Sequence, residues 1–295
     1  AVIPIAAGTY PTAPIILAKS VTLKACNDAA GVILSKVAPS DSYMLQDETA
    51  SDATREVMLD GLTFQGLGSS DSYGLTQANG SSNWTVTNCE FRNAKGGWFG
   101  KGGNGSFSGC TFSVADIATN LPRDKGDIFI ENCTFSGAYR GLYLSVQSGS
   151  QGQNTATVSN CSITGSTKEG AYFGGWAEAN LTGCTVTGNG DGGVVLQTGT
   201  LSISKTTISG NTATFYGGGI AIRQKSTLTV GSSVVVTGNT APDGSGLGAL
   251  FLSPDYPTIT GVSSSNIYGN LRGDQCEADS TSTGGGFIPV PNCSF

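Results

Sequence analysis

Histidine is absent from this chain of 295 residues, and with it the side chain that most often serves as general base or metal ligand near neutral pH. Chemistry then falls to thiols, carboxylates and bases. Five of the eight cysteines sit in one recurring phrase: Asn-Cys-Glu-Phe (88–91), Gly-Cys-Thr-Phe (109–112), Asn-Cys-Thr-Phe (132–135), Asn-Cys-Ser-Ile (160–163) and Gly-Cys-Thr-Val (183–186). None of them has the Cys-x-x-Cys spacing of a structural zinc site, and buried cysteine packs as a small hydrophobe. Neighbouring strands hold Cβ atoms ~4.8 Å apart, wider than the ~3.8 Å of a disulfide, so the phrase predicts a column of free thiols. Cys276 and Cys293 differ. They bracket a Gly-, Ser-, Thr- and Pro-rich tail, where a disulfide would pin an end cap in an oxidising compartment. The densest charge run is Arg123-Asp124-Lys125-Gly126-Asp127, with Asp116 and Glu131 nearby. Calcium needs several converging oxygens; an exposed turn between strands is the simpler reading of the run.

The elements that would position these groups follow from the same phrase. Its closing apolar residue recurs at Phe64, Phe91, Phe112, Phe135, Ile163, Val186, Ile208, Val236 and Ile267. A period of 20 to 30 residues with strand chemistry marks a β-solenoid. Two positions earlier runs Leu62, Cys89, Cys110, Cys133, Cys161, Cys184, Thr206, Val234 and Ser265. Residues at i and i+2 share a strand face, so both columns should point inward. A third register reads Gly74-Leu75, Gly97-Trp98, Gly141-Leu142, Gly170-Ala171, Gly193-Val194, Gly219-Ile220 and Gly248-Ala249. Gly-Asn pairs at 188, 210, 238 and 269 suit corners that need positive φ. Charged residues are only 12%, against roughly 25% in ordinary domains, as expected for many short strands and tight turns. The reading is all-β: one parallel β-helix of about ten rungs over 1–270, then a terminal rung and disulfide-linked capping tail over 271–295.

Net charge is −6 and no basic patch suits nucleic acid. No apolar run is long enough to span a membrane as a helix. The opening Ala1-Val2-Ile3-Pro4-Ile5 is already strand-like, which reads as a mature product whose targeting segment is gone. The outward column beside the glycine register is the best candidate surface: Thr76, Phe99, Tyr143, Tyr172, Val195, Ala221 and Leu250, with Arg140 and Glu169 beside the tyrosines. Aromatics at rung spacing suit the apolar face of a sugar ring or a protein partner. A second outward face carries paired hydroxyls at Thr85/Thr87, Ser106/Ser108, Thr157/Ser159 and Ser202/Ser204. An unbroken threonine ladder would suit ice, but this one is interrupted by Phe129/Glu131 and Asn180/Thr182. Of seven Asn-x-Ser/Thr sequons, Asn79, Asn83 and Asn104 fall in expected loops and are the glycosylation candidates. Arg272-Gly273-Asp274 is read as part of a terminal rung rather than as a receptor motif.

The repeat grammar, with Ala7-Gly8-Thr9-Tyr10 … Lys19-Ser20-Val21-Thr22-Leu23 at its start, resembles the right-handed parallel β-helix superfamily of pectin lyase-like proteins. The phrases Gly217-Gly218-Gly219-Ile220 and Gly-Asn-Thr-Ala at 210–213 and 238–241 are similar to the repeats of polymorphic outer-membrane proteins and surface adhesins. That superfold hosts enzymes and structural fibres alike. The Gly-His-Gly phrase of polygalacturonase-like members and the Asp-Pro-His-Asp phrase of alginate-epimerase-like members are both missing. A pectate-lyase-like reaction would use Arg123, Lys125 or Arg140 as base, with Asp124 and Asp127 as carboxylates and calcium as the cofactor. The leading expectation is a non-catalytic, secreted or cell-surface β-helix of structural or adhesive role, with no cofactor. Its binding residues would be Phe99, Tyr143, Tyr172, Arg140 and Glu169. Its partner would be a polysaccharide, or another copy joined through terminal rungs, since open strand edges template pairing. A lyase acting on an acidic glycan is the alternative.

Overall fold

The computed structural model describes residues 1–26, 31–37, 43–47, 54–68, 73–77, 82–100, 102–114, 116–123, 126–146, 154–224, 226–243, 245–251, 257–271 and 276–280. Every element of three or more residues among them is a strand, and all strand pairs are parallel. Among the described residues no helix is long and apolar enough to cross a membrane.

Each full rung contributes three strands. One set of middle strands forms a ten-stranded sheet by itself. The other two sets merge into one twenty-stranded sheet, because Ala171–Thr182 and Val194–Ser204 run through both positions without a break. The solenoid continues past the last complete rung: Cys276–Ser280 pairs with Leu247–Phe251.

The recurring phrase forms the first corner. The residue before each ladder cysteine has positive φ: 53° at Asn88, 64° at Gly109, 53° at Asn132, 52° at Asn160 and 64° at Gly183. This left-handed conformation is costly for most L-residues and tolerated by Gly and Asn, which is why the phrase alternates between those two. The second corner uses Gly188, Gly210, Gly238 and Gly269 at φ of 60–65°.

The core lies between the sheets. All nine residues of the closing apolar column are fully buried, from Phe64 to Ile267. Phe64, Phe91, Phe112 and Phe135 stack face to face, with centroids 4.7–5.1 Å apart and planes within 7°. The rung repeat brings identical rings to stacking distance, so area burial and aromatic contact add along the axis.

The cysteine column is buried and free of disulfides at Cys89, Cys110, Cys133, Cys161 and Cys184. It is also hydrogen-bonded. Backbone N–H groups of Cys110, Cys133 and Cys161 donate to the Sγ of the next rung's cysteine at 3.4–3.5 Å. Cys184 N–H donates to Thr206 Oγ1 at 3.2 Å. Each thiol donates back to the carbonyl two residues before it. Thr206 repeats the pattern with oxygen at 2.8 Å, so Cys and Thr are interchangeable here for a reason beyond size. The column ends at Val234: Ser265 is exposed and its neighbour Asn266 is buried instead.

The Gly-Asn corners carry a feature the sequence did not announce. Asn189, Asn211, Asn239 and Asn270 are buried and form an amide ladder. Each Oδ1 accepts from the N–H and Nδ2 of the Asn one rung earlier, at 2.8–3.0 Å. Asn189 Oδ1 closes the series by accepting from Ser166 N–H at 3.0 Å.

Candidate functional site

Strand register defines the candidate surface. Gln46, Thr76, Phe99, Asn120, Tyr143, Tyr172, Val195, Ala221 and Gly248 are successive partners along one line. Two corrections to the expected column follow. Asn120, on Ile117–Arg123, occupies a rung between Phe99 and Tyr143. Leu250 lies opposite Arg223, and Gly248 takes the place expected for it. A slip of two residues preserves strand alternation, so the sequence pattern could not reveal it.

Tyr143 and Tyr172 stack with centroids 4.6 Å apart and planes at 16°, and both are half-buried. Phe99 packs on Tyr73 at 5.3 Å. Arg140 starts the strand Arg140–Val146 and its guanidinium lies 5.3 Å from the Tyr143 centroid and 5.6 Å from that of Tyr139. Its Nε donates to Glu169 Oε2 at 2.8 Å, with Glu169 buried. Burial alone would weaken the guanidinium's hold on its proton, but the Glu169 hydrogen bond and charge outweigh it, so Arg140 is held more firmly cationic than usual. The Tyr172 hydroxyl is pushed up to about 12 by burial, with the neighbouring Tyr143 adding to it.

Four residues outside the expected set complete the patch. Arg223, whose charge acts on Tyr172, donates from Nε to the Tyr216 hydroxyl at 2.9 Å and lies 5.9 Å from that ring. Lys168 pairs with Asp191 at 2.9 Å. Burial works against the Asp191 carboxylate, but the Lys168 hydrogen bond prevails and holds its pKa below the usual value. The signal for Arg223 was its place two residues after Ala221, on the same strand face; Tyr216 and Asp191 lie at corners, where alternation gives no signal. Val195 and Ala221 do not extend the exposed column, for both are buried. The backbone at Gly217 lies on Ala221: a Cβ there would come within 2.6 Å of Ala221 Cα. Gly217 is therefore required by both close approach and its φ of 68°.

Of the charged run at 123–127, the structure describes Gly126, Asp127 and the backbone of Arg123. Arg123 ends its strand opposite Val146, while Asp124 and Lys125 lie outside the described residues. Asp127 is structural: its Oδ1 accepts from Thr155 N–H and its own N–H donates to Asn104 Oδ1, both at 2.9 Å. Among the described residues no three metal-ligating side chains converge. Asn83 is half-buried on the strand Asn83–Thr87, with Nδ2 on Glu56 at 2.7 Å. Asn104 is exposed. Asn79, Cys293 and the 272–274 tripeptide lie outside the described residues, as does the side chain of Cys276.

A right handed beta helix region model matches residues 121–287. The chain belongs to this family. Solved structures superpose on most of it. The A-module of the Azotobacter vinelandii mannuronan C-5 epimerase AlgE4 aligns with a TM-score of 0.60 at 12% identity, covering 96% of this chain and 91% of the module. A double mutant of the periplasmic alginate epimerase AlgG aligns at 0.56 and 10% identity, over 95% of this chain and 74% of the epimerase. Tailspike protein 2 of Escherichia coli O157:H7 bacteriophage CAB120 aligns at 0.50 and 11% identity, over 81% of this chain and 38% of the tailspike. At such identities the likeness is one of β-helix fold. No curated protein sequence matches this β-helix.

Proposed function

We propose that this β-helix is a polysaccharide-binding protein of the cell exterior, with a structural or adhesive role, that uses the Tyr143/Tyr172 face without catalysing a reaction. The observation that carries the reading is the half-exposed tyrosine stack bracketed by Arg140 and Arg223. Stacked phenol rings offer a flat apolar surface to the C–H face of a sugar, and their hydroxyls and the flanking guanidinium groups offer hydrogen bonds to its polar edge. The names of its structural relatives, alginate epimerases and a phage tailspike, are in keeping with a carbohydrate ligand. Against a lyase role for Arg140 stands its 2.8 Å bond to buried Glu169, which favours a permanent cation over a proton acceptor.

Affinity electrophoresis through gels containing alginate, polygalacturonate, xylan or a mixed-linkage glucan tests the proposal. Retardation by at least one polymer, reduced about tenfold or more in apparent affinity by the pair Tyr143→Ala and Tyr172→Ala, is expected. Free migration in every gel sinks the binding reading. Appearance of unsaturated uronates, absorbing in the near ultraviolet, would replace it with the lyase.

A further inference from the structure

The middle sheet carries a second surface, on a different side of the solenoid from the tyrosines. Its strands Thr111–Ser113, Thr134–Ser136, Ser162–Thr164, Thr185–Thr187 and Thr207–Ser209 are each three residues long. Each buries its central residue and turns the outer two to solvent. The outward positions form two unbroken columns: Thr111, Thr134, Ser162, Thr185 and Thr207, beside Ser113, Ser136, Thr164, Thr187 and Ser209. All ten positions in these five rungs are hydroxyls, and none of the ten hydroxyls has a hydrogen-bond partner among the described residues. Thr237 continues the second column by one rung, while Val235 ends the first. On its other side it stops at Glu90 and Arg92, which pair with each other at 3.3 Å.

The regularity is specific to this face. Pairing along the middle sheet shows no register shift across these rungs. The neighbouring sheet breaks register three times between Ala171–Thr182 and Val194–Ser204. Hydroxyls therefore recur about every 4.8 Å along the axis and roughly 6.6 Å across it, the strand spacing and twice the rise per residue. Six of the ten are β-branched threonines, whose restricted χ1 holds hydroxyl and methyl in few orientations.

The chemistry of the array selects its occupant. A sugar chain would want an aromatic platform, and there is none on it. An ionic polymer would want charge, and none of the ten positions carries one. Protein interfaces are rich in aromatics and Arg and poor in Ser. What fixed, unpaired hydroxyls on a two-dimensional lattice can hold is water, each hydroxyl donating one bond and accepting two, with the methyls between them favouring ordered first-shell water. The two repeats lie close to oxygen repeats on faces of hexagonal ice. We propose that this face binds ice, through an ordered water layer anchored on the Thr/Ser columns. The proposal concerns a surface separate from the tyrosine patch and does not depend on it.

The test measures thermal hysteresis and uptake into a slowly growing ice hemisphere for the intact chain. The wild type should show a freezing gap and enrich in the ice. The pair Thr134→Lys and Thr185→Lys, at the centre of the first column, should lose the gap and be excluded like a buffer salt. Thr164→Tyr, which keeps strand propensity and adds bulk without charge, should do the same, and circular dichroism reports whether each variant is folded. Thr157→Lys, on the interrupted hydroxyl face, should behave as wild type. Exclusion of the wild type from ice overturns the proposal. So does equal uptake of wild type and the folded lysine pair, or a loss of polysaccharide retention, instead of ice uptake, on substituting these threonines.

Discussion

Asn211 offers the sharpest test of how the corners are held. The residue is fully buried, as are Asn189 and Asn239 on either side. Its Oδ1 accepts from Asn189 N–H at 3.0 Å and Asn189 Nδ2 at 2.8 Å. Its Nδ2 donates to Val186 O at 3.0 Å and Asn239 Oδ1 at 2.9 Å. Asn211→Ala deletes all four bonds. Asn189 Nδ2 keeps its bond to Ile163 O, and Asn239 Oδ1 keeps the Asn211 N–H. Two donors then lose their acceptor: the Asn189 N–H and one Nδ2 hydrogen. A buried polar group left unpaired costs about 1–3 kcal/mol, so the substitution should cost about 2–6 kcal/mol, with a central expectation of about 4. Solenoids can open in parts, so the assay is hydrogen exchange resolved by peptide, with thermal unfolding alongside. Protection should fall most in the corners at 188–190 and 210–212. The control is Thr207→Ala, an exposed strand position on the same rung, expected to cost about 1 kcal/mol or less. If Asn211→Ala costs no more than the control, the amide ladder is not what secures the corner.

Lys205 holds the same left-handed corner at φ 50° that Asn or Gly occupies on other rungs; Lys205→Gly should raise stability by about 0.5–1 kcal/mol, the conformational penalty less the added freedom of the unfolded chain, and a lower melting temperature would contradict this. The thiol of Cys89 is pushed up to about 12, chiefly by burial, and all five ladder thiols are inaccessible. Maleimide labelling mapped by mass spectrometry should modify half-exposed Cys26 in the folded protein and the ladder only after denaturation. Ultraviolet titration should show Tyr172 and Tyr216 ionising late, Tyr172 at about 12, and Tyr172→Phe should remove the step at about 12. Because folding raises this pKa from 10.0 to about 12, its contribution to stability is whole below pH 10 and is lost as the pH rises through 12.

The interior was legible because the rung repeats its grammar. The Phe64-to-Ile267 column, the cysteine column as far as Val234 and the left-handed Asn/Gly corners all follow from strand alternation and a 21-to-31-residue recurrence. What escaped were relations that alternation cannot encode. Asn120 was missed because Ile117–Arg123 lacks the Gly-aliphatic phrase of its neighbours. The Asn189-to-Asn270 ladder was read as turn chemistry because a single Gly-Asn pair looks like any tight corner; only stacking shows that its amides meet. The Thr/Ser lattice on the middle sheet hid behind the cysteine phrase, whose outward residues flank the apolar one. Tyr216 joins the tyrosine patch through Arg223, a proximity set by loop path rather than by spacing.

The central claim, that Tyr143 and Tyr172 face a bound polysaccharide, is tested most directly by hydroxyl-radical footprinting with and without the polymer that retards the chain. The account predicts that ligand protects Tyr143 and Tyr172, and leaves Phe129 and Tyr268, which are exposed on other faces, as reactive as before. Unchanged reactivity at Tyr143 and Tyr172 with protection on another face would contradict it.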